Sequence, residues 1–222
     1  MAKAKESDKR KLSHEAYGGV HGSEYIPFIP ADKVLPELTA VAVIVGSLFA
    51  ILFAAANAYL GLKAGMTISA AIPAAVLATA LLKGVFKRDS ILESNLVMAI
   101  AATGESLAGG IIFTLPAIVL WGLKDEFTLT RIVFVILIGG LLGALFVIPL
   151  RRYLTVEEHG KLIYPEGMAA AEVLVTSNQG GTGFMTVLSG MIVGGIYKLL
   201  SGGFGMWSEN LHGLLRGLRA QK

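Results

Sequence analysis

The chain has 222 residues, of which 54% are apolar and 16% are charged, and its mean hydropathy is +0.67. Soluble globular domains average roughly 45–50% apolar and about 25% charged residues, so this composition excludes an ordinary soluble enzyme. The sequence contains no cysteine, which excludes a disulfide framework and a thiolate metal site.

The remaining composition also argues against metal and nucleic acid. His14, His21, His159 and His212 show no spacing typical of metal ligands, so the sequence predicts no metal site and no cofactor. The net charge is +3, but the basic residues lie beside apolar runs. Membrane topology explains that arrangement better than phosphate binding, and no nucleic-acid partner is expected.

Residues 1–37 are polar and contain several glycines and prolines, which predicts a flexible tail. A secretory signal would place a short apolar run close to Met1. The first apolar run instead begins at Leu38 and continues for about 25 residues. We therefore interpret that run as a membrane anchor.

Apolar runs of roughly 17–25 residues can cross a bilayer, and they predict an all-α polytopic integral membrane protein with about five transmembrane or re-entrant helices. The second and fifth runs are at the short limit, so each could be re-entrant. Glycine pairs at Gly139/Gly143 and Gly190/Gly194 predict close helix packing. The membrane region 38–200 comprises runs near 38–62, 66–82, 95–120, 132–150 and 184–200, with a half-helix near 166–175.

Residues 201–222 are interpreted as an amphipathic or interfacial tail, because their leucines recur at helical spacing. A frayed end without a function is the alternative. The leucines are Leu211, Leu214, Leu215 and Leu218.

Orientation follows from lysine and arginine in the short loops, because these residues resist translocation. The distribution predicts a multi-pass protein of the cell (plasma) membrane with a cytoplasmic N-terminus. One side carries the basic tail with Lys83, Lys87, Arg88, Arg151, Arg152 and Lys161, and the other carries Lys63, Lys124 and Arg131.

Polar residues near the end of the first run are candidates for substrate binding. Asn57, Tyr59 and Lys63 lie there beside Gly61 and Gly65, which suggests a broken helix whose free backbone groups could meet a ligand. The alternative for Lys63 is a loop residue that extends its ammonium to the membrane interface.

Glu105 is an ionisable residue well inside an otherwise uncharged part of the third run. Burial disfavours a charged carboxylate, so such a group can take up and release a proton. We interpret Glu105 as a candidate for proton coupling. The alternative is a structural carboxyl group bonded to Ser106 or to a neighbouring helix.

A short Ala-rich stretch carries further candidates for substrate binding, which are Tyr164, Glu166 and Glu172. Pro165 is typical of a helix start, and Glu166 then lies in the first turn, near the positive end of the helix dipole. The two glutamates are too far apart around a helix to share a face, so separate roles are expected. An amphipathic cytoplasmic helix with solvated glutamates is the alternative.

Three blocks of sequence resemble a known family. They are FAAANAYLGLKAGMTISAAIPAAVL, ILESNLVMAIAATGESLAGGIIFTLPAI and LIYPEGMAAAEVL. In this order they resemble the N-terminal portion of the oligopeptide transporter (OPT) superfamily, in a bacterial-type member. The resemblance implies secondary active transport, typically proton-coupled, of small peptides or peptide-like metal chelates. Members are considerably longer, so the chain is expected to be a fragment or to assemble, as a homo-oligomer or with the remaining half of a longer transporter.

Two classes of function follow. The first is a transporter of oligopeptides or peptide-like chelates, of which this chain is the N-terminal part. The second is a membrane scaffold or assembly subunit that transports nothing. An intramembrane enzyme is a weaker third class, because no nucleophile and base occur at a shared depth. Ser106 and Ser189 stay open as nucleophiles, and no catalytic residue is assigned.

Overall fold

The computed structural model describes residues 12–206, apart from residues 124, 126, 127, 180 and 181. The described residues contain a short 3₁₀ turn, six α-helices and two π-helical segments. The predicted amphipathic pattern at 207–222 lies outside the described residues. The α-helices are α1 Ala40–Ala64, α2 Ala71–Gly84, α3 Ile91–Leu120, α4 Leu129–Arg152, α5 Pro165–Gln179 and α6 Thr182–Lys198.

Helix α1 is continuous through the region where the sequence suggested a break. It begins after Thr39, whose side chain accepts a hydrogen bond from the Ala42 amide at 3.2 Å. It ends at Gly65, which adopts the left-handed conformation with a φ of 69°. The prediction of a break at Asn57 to Lys63 is therefore wrong. The alanines and leucines of this stretch favour a helix, and Gly65 is the first residue that leaves it.

Helix α2 is too short to cross a membrane. Its 14 residues span about 21 Å, against a hydrocarbon thickness of about 30 Å. Residues 66–70 before it are not helical. Among the described residues, four helices are long and apolar enough to cross a membrane, and the prediction of an all-α polytopic membrane protein is confirmed. The π-helical segments Tyr153–Glu157 and Leu199–Gly203 extend two of these four.

Helices α1 and α3 run in the same direction and pack closely through glycine. A Cβ atom added to Gly104 would lie 2.6 Å from the carbonyl oxygen of Ala50, and one added to Gly61 would lie 2.7 Å from a methyl carbon of Ile112. Larger residues at these glycines would force the helices apart. Helix α2 runs back against both, and the shared core is formed by Ala42, Val45, Ala78, Leu82 and Val97.

The two short helices α2 and α5 lie side by side and run in the same direction. Ser69, just before α2, contacts Glu166 at the start of α5, and Lys83 near the end of α2 contacts Asn178 near the end of α5. Helix α5 begins at Pro165, as the sequence predicted, but it extends to Gln179, beyond the predicted half-helix. A second core cluster joins these helices, with Ala75, Ile91, Leu174 and Val175 buried.

No residue of helix α4 is buried, in contrast to α1, α2, α3 and α5. Cβ atoms added to Gly139 or Gly143 would have no neighbour within 4 Å. The predicted packing at this glycine pair therefore has no partner among the described residues.

The described part of the N-terminal tail packs against other segments, although the sequence predicted a flexible tail. Residues 12–39 lie against the segment 153–164, against α5 and against the start of α3. Pro36, at the end of this tail, accepts a hydrogen bond from the Ser90 hydroxyl at 2.5 Å.

The described residues 182–206 form a separate compact unit, which contains α6. Its helix continues through the π-helical segment to Gly203. Cβ atoms added to Gly190 or Gly194 would have no neighbour within 4 Å, so the packing predicted for this pair has no partner in the described part of the unit.

Candidate functional site

The side chain of Asn57 holds the non-helical segment between α1 and α2. Its Nδ2 donates to the carbonyl oxygen of Ile68 at 3.0 Å, and its Oδ1 accepts from the Ile68 amide at 3.1 Å. Asn57 is 1% exposed. A buried amide with both ends bonded is a stable anchor, because leaving either end unpaired would be costly. Asn57 therefore fixes the backbone of residues 66–70 in front of α2.

Two carboxylates meet the start of α2. Glu105 Oε2 accepts a long hydrogen bond from the Ala70 amide at 3.5 Å, and Glu166 Oε1 accepts from the Ser69 hydroxyl. The Ser69 oxygen also accepts from the Ala71 amide at 3.3 Å. The unpaired amides of a helix N-terminus attract negative charge, which favours carboxylates at this place.

The position of these carboxylates along the bundle is informative. Glu105 is half-buried and lies at the midpoint of the 30-residue helix α3. The first turns of α2 and α5 therefore lie beside the middle of a long apolar helix. Carboxylates beside the middle of an apolar helix are costly unless they have a function or a partner. We call Asn57, Ser69, Glu105 and Glu166 the central site.

Tyr59 and Lys63 contact each other on α1. The Lys63 ammonium donates to the Tyr59 hydroxyl at 2.8 Å and lies 5.2 Å from the centre of the Tyr59 ring. The Tyr59 side chain is 58% exposed. Tyr59 follows Asn57 by about half a helical turn and therefore faces the opposite side of α1, so the contact between Tyr59 and Lys63 lies outside the central site.

Tyr164 and Glu172 lie at a second place, close to the N-terminal tail. The Tyr164 hydroxyl donates to the carbonyl oxygen of Leu154 at 3.3 Å, and its ring lines a cavity of about 300 Å³. Glu172 accepts from the Tyr17 hydroxyl and lines a smaller cavity of about 110 Å³. The bond to Glu172 raises the pKa of the Tyr17 phenol above its ordinary value of 10.0. Glu166 and Glu172 thus have different partners.

The sequence analysis missed a buried carboxylate at the start of α3. Glu93 is 1% exposed, and its Oε1 accepts from Arg88 and from the Thr39 hydroxyl, each at 2.5 Å. The pair stabilises the junction between α1, α3 and the preceding loop. The spacing of Ser90 and Glu93 is typical of a helix start, but it does not show that Glu93 is buried.

The sequence indicated Lys83 only as one of the basic residues that set the membrane orientation. In the structure it joins the ends of α2 and α5. Its ammonium donates to the carbonyl oxygen of Asn178 and pairs with Asp89 at 2.6 Å. The negative ends of two helix dipoles favour a cation there. Within the part of the chain that the structure describes, no group of three or more metal-binding side chains occurs.

Comparison with known proteins supplies the family. The family model described as "OPT oligopeptide transporter protein" matches residues 37–216. A Haemophilus influenzae protein named "Putative oligopeptide transporter" is 39% identical over 153 residues, which are 68% of this chain and 24% of that protein. The chain therefore spans about a quarter of the length of that relative. No solved structure matches the chain.

The family match covers most of the sequence and contains all three blocks on which the resemblance rests. The identity to the relative is also well above the level at which chance similarity occurs. The chain belongs to the OPT family of oligopeptide transporters.

Proposed function

We propose that this chain forms part of a secondary active transporter for oligopeptides or peptide-like metal chelates, and that Glu105 carries the coupled proton. The observation that carries the proposal is the meeting of Glu105 and Glu166 at the start of α2, beside the midpoint of α3. The family is one of transporters, and the chain is not an enzyme.

The central site has the chemistry that a peptide substrate requires. A peptide carries an ammonium group and a string of amide donors, and the carboxylates of Glu105 and Glu166 can accept hydrogen bonds from both. Short helices with their N-termini near the middle of the membrane are a common way to build such a site in transporters. Glu166 and Ser69 are exposed, so a solute can reach them.

The other candidate residues are assigned to the path of the substrate. Tyr164 and Glu172 line cavities at the tail side of α5. Tyr59 and Lys63 would present a hydroxyl and a cation beyond the central site, where Lys63 could meet a peptide carboxylate. The basic loops favour a cytoplasmic N-terminus in the plasma membrane.

A proton carried by Glu105 would change the contacts of α2. A proton on Oε2 would occupy the lone pair that accepts from the Ala70 amide. Protonation also removes the negative charge, and with it the attraction to the positive end of the α2 dipole. Protonation thus weakens the hold of α3 on the start of α2. A coupling of this kind links the proton to the position of a short helix.

The test uses the protein at its native locus and purified from its own membranes, so that any further chain it requires is present. We expect Glu105→Gln to abolish uptake of labelled peptides driven by a proton gradient, while exchange of peptide across proteoliposomes without a gradient continues. The reason is that glutamine resembles a protonated glutamate and cannot release a proton.

Glu157→Gln is the matched control, because Glu157 is a half-exposed carboxylate at the end of the π-helical segment after α4. It should leave both measurements unchanged. Gradient-driven uptake that persists in Glu105→Gln would overturn the role of Glu105.

The second candidate function is a scaffold that binds partner helices and transports nothing. The exposed apolar surface of α4 favours it, because such a surface can pack against other helices as well as lipid. Absence of uptake and of exchange in the unmodified protein would support the scaffold.

A further inference from the structure

The N-terminal tail meets the segment after α4 through backbone contacts that only glycine allows. A Cβ atom added to Gly18 would lie 2.8 Å from the Cα atom of Gly160, and one added to Gly160 would lie 2.6 Å from the Cα atom of Gly18. A Cβ atom on Gly22 would lie 2.3 Å from the carbonyl oxygen of Val156. Three glycines therefore allow two irregular backbones to approach much closer than side chains permit.

Side chains add specific contacts along the same seam. The His159 Nε2 group donates to the carbonyl oxygen of Glu15 at 2.8 Å, and the His159 ring stacks on Tyr25 with ring centres 5.3 Å apart. The Tyr17 hydroxyl donates to Glu172 on α5. The tail thus has a defined docked position, although nothing in its composition requires one.

The docked tail forms one wall of the 300 Å³ cavity. Leu12, Ala16, Tyr17 and Tyr25 line it from the tail, and Tyr164 lines it from the segment before α5. The Tyr17 hydroxyl also occupies a lone pair of the Glu172 carboxylate. Both Tyr164 and Glu172 are thus covered from one side by the same segment.

The contacts of the tail differ in strength along its length. Its C-terminal end is tied to the helix bundle through Thr39, which bonds to the buried Glu93. Residues 15–25 are held by backbone packing at Gly18 and Gly22, by the ring stack of Tyr25 on His159 and by hydrogen bonds between exposed groups. Such hydrogen bonds are individually weak because water can replace them. The tail can therefore lift at residues 12–25 while it remains anchored near Thr39.

We propose that residues 12–39 act as a strap that narrows access to the cavity lined by Tyr164 and covers one side of Glu172, and that opens by undocking from Gly160. Both side chains stay partly exposed while the strap is docked. The strap regulates the path assigned above, so its effect on uptake rests on the proposed function. Its effect on access does not, because access can be measured without transport.

The absence of cysteine in the chain makes access directly measurable. In Ala171→Cys, the introduced thiol on α5 lies on the wall of the cavity and is the sole cysteine. Its rate of reaction with a polar maleimide is measured on the protein in nanodiscs, where both membrane faces are accessible. Ala78→Cys, at a fully buried position of α2, serves as a reporter of general unfolding.

Gly18→Ala and Gly19→Ala are a matched pair of variants. Both glycines have a positive φ, 121° and 93°, so alanine strains the backbone at each. Only at Gly18 would the new methyl group meet Gly160, because Gly19 has no neighbour within 4 Å. We expect Gly18→Ala to raise the labelling rate at residue 171 by about tenfold, and Gly19→Ala to change it by less than about twofold.

Gly22→Ala provides a second variant in which no left-handed backbone is involved. It should raise the labelling rate at residue 171 as Gly18→Ala does, while Ala78→Cys labels equally slowly in every background. Equal labelling at residue 171 in all variants would overturn the strap. An equal increase of this labelling rate in Gly19→Ala would also overturn the strap, because Gly19 has no contact with Gly160.

Uptake of labelled peptides, measured in parallel, separates the strap from the proposed function. Faster uptake in Gly18→Ala than in Gly19→Ala would support both. No uptake in the unmodified protein, together with the expected labelling, would contradict the transport proposal and leave the strap supported.

Discussion

Helices α2 and α4 are both apolar, but they differ in length and in burial. The apolar window of α4 has a mean hydropathy of 2.8, the highest of the four long helices, and none of it is buried. Helix α2 is too short to cross a membrane, yet it supplies much of the core. Its buried residues are Ala74, Ala75, Val76, Ala78, Thr79 and Leu82.

The difference shows that hydropathy and burial report different properties in this protein. Lipid is as apolar as leucine, so a highly apolar helix gains little by leaving it. Close packing gains dispersion contacts. Small residues permit such packing, as the contact between α1 and α3 at Gly104 shows. Glycine alone does not identify a packed helix, because Gly139 and Gly143 on α4 have no neighbour within 4 Å among the described residues.

Leu82→Ala should give the largest effect, because Leu82 is fully buried in the core shared by α1, α2 and α3. We expect a loss of about 3–5 kcal/mol in the free energy of unfolding, since the truncation leaves a cavity. The measurement is unfolding in a mild detergent, followed by circular dichroism. Leu141→Ala on α4, where Leu141 is 63% exposed, should change stability by less than about 0.5 kcal/mol. Equal losses in both variants would contradict the contrast between the helices.

Glu93→Ala should have the next largest effect, because it removes a buried carboxylate and leaves Arg88 without this partner. Breaking a buried ion pair costs about 3–5 kcal/mol, and we expect the lower end because the Arg88 side chain is 38% exposed and can reach water. The control is Glu157→Ala after α4, whose carboxylate is 3.9 Å from Arg152 with both side chains at least half exposed. That change should cost less than about 1 kcal/mol. Thermal unfolding of both variants in the same detergent measures the difference between the two losses of stability. Equal losses would show that Glu93 is solvated.

Gly104→Ala should have the smallest of the three effects. The new methyl group would lie 2.6 Å from the Ala50 carbonyl oxygen, so α1 and α3 must move apart, at a cost of about 1–3 kcal/mol. Gly143→Ala on α4 adds the same methyl group to open space and should be neutral or slightly stabilising. Melting temperatures of both variants provide the comparison. A destabilised Gly143→Ala would show that α4 is packed against another helix.

The sequence predicted the helical membrane architecture and much of the central site. Four of the predicted runs contain helices long enough to cross a membrane. Asn57, Glu105 and Glu166 could be selected because polar groups in apolar runs are costly and need partners. That these three side chains lie close together could not be predicted. Each bonds to the short segment 66–70, and this segment has no periodic pattern that would indicate its position.

Other features depended on contacts between distant segments. The buried state of Glu93 requires Thr39 and Arg88 to approach it from two sides, and no local pattern reports that. The docked tail depends on Gly18 and Gly160, which are distant in sequence and unremarkable as separate glycines. Local patterns indicate where a chain is helical, whereas these contacts follow from the path of the chain between helices.

Gly18 and Gly160 also constrain how the protein can evolve. Each occupies the space that a side chain on the other would need, and each is already the smallest residue. If one of the two glycines is replaced by a larger residue, the other cannot be made smaller to compensate. The close approach of the tail to the segment after α4 therefore depends on both glycines being kept, whereas Gly139 and Gly143 on α4 have no such neighbour among the described residues.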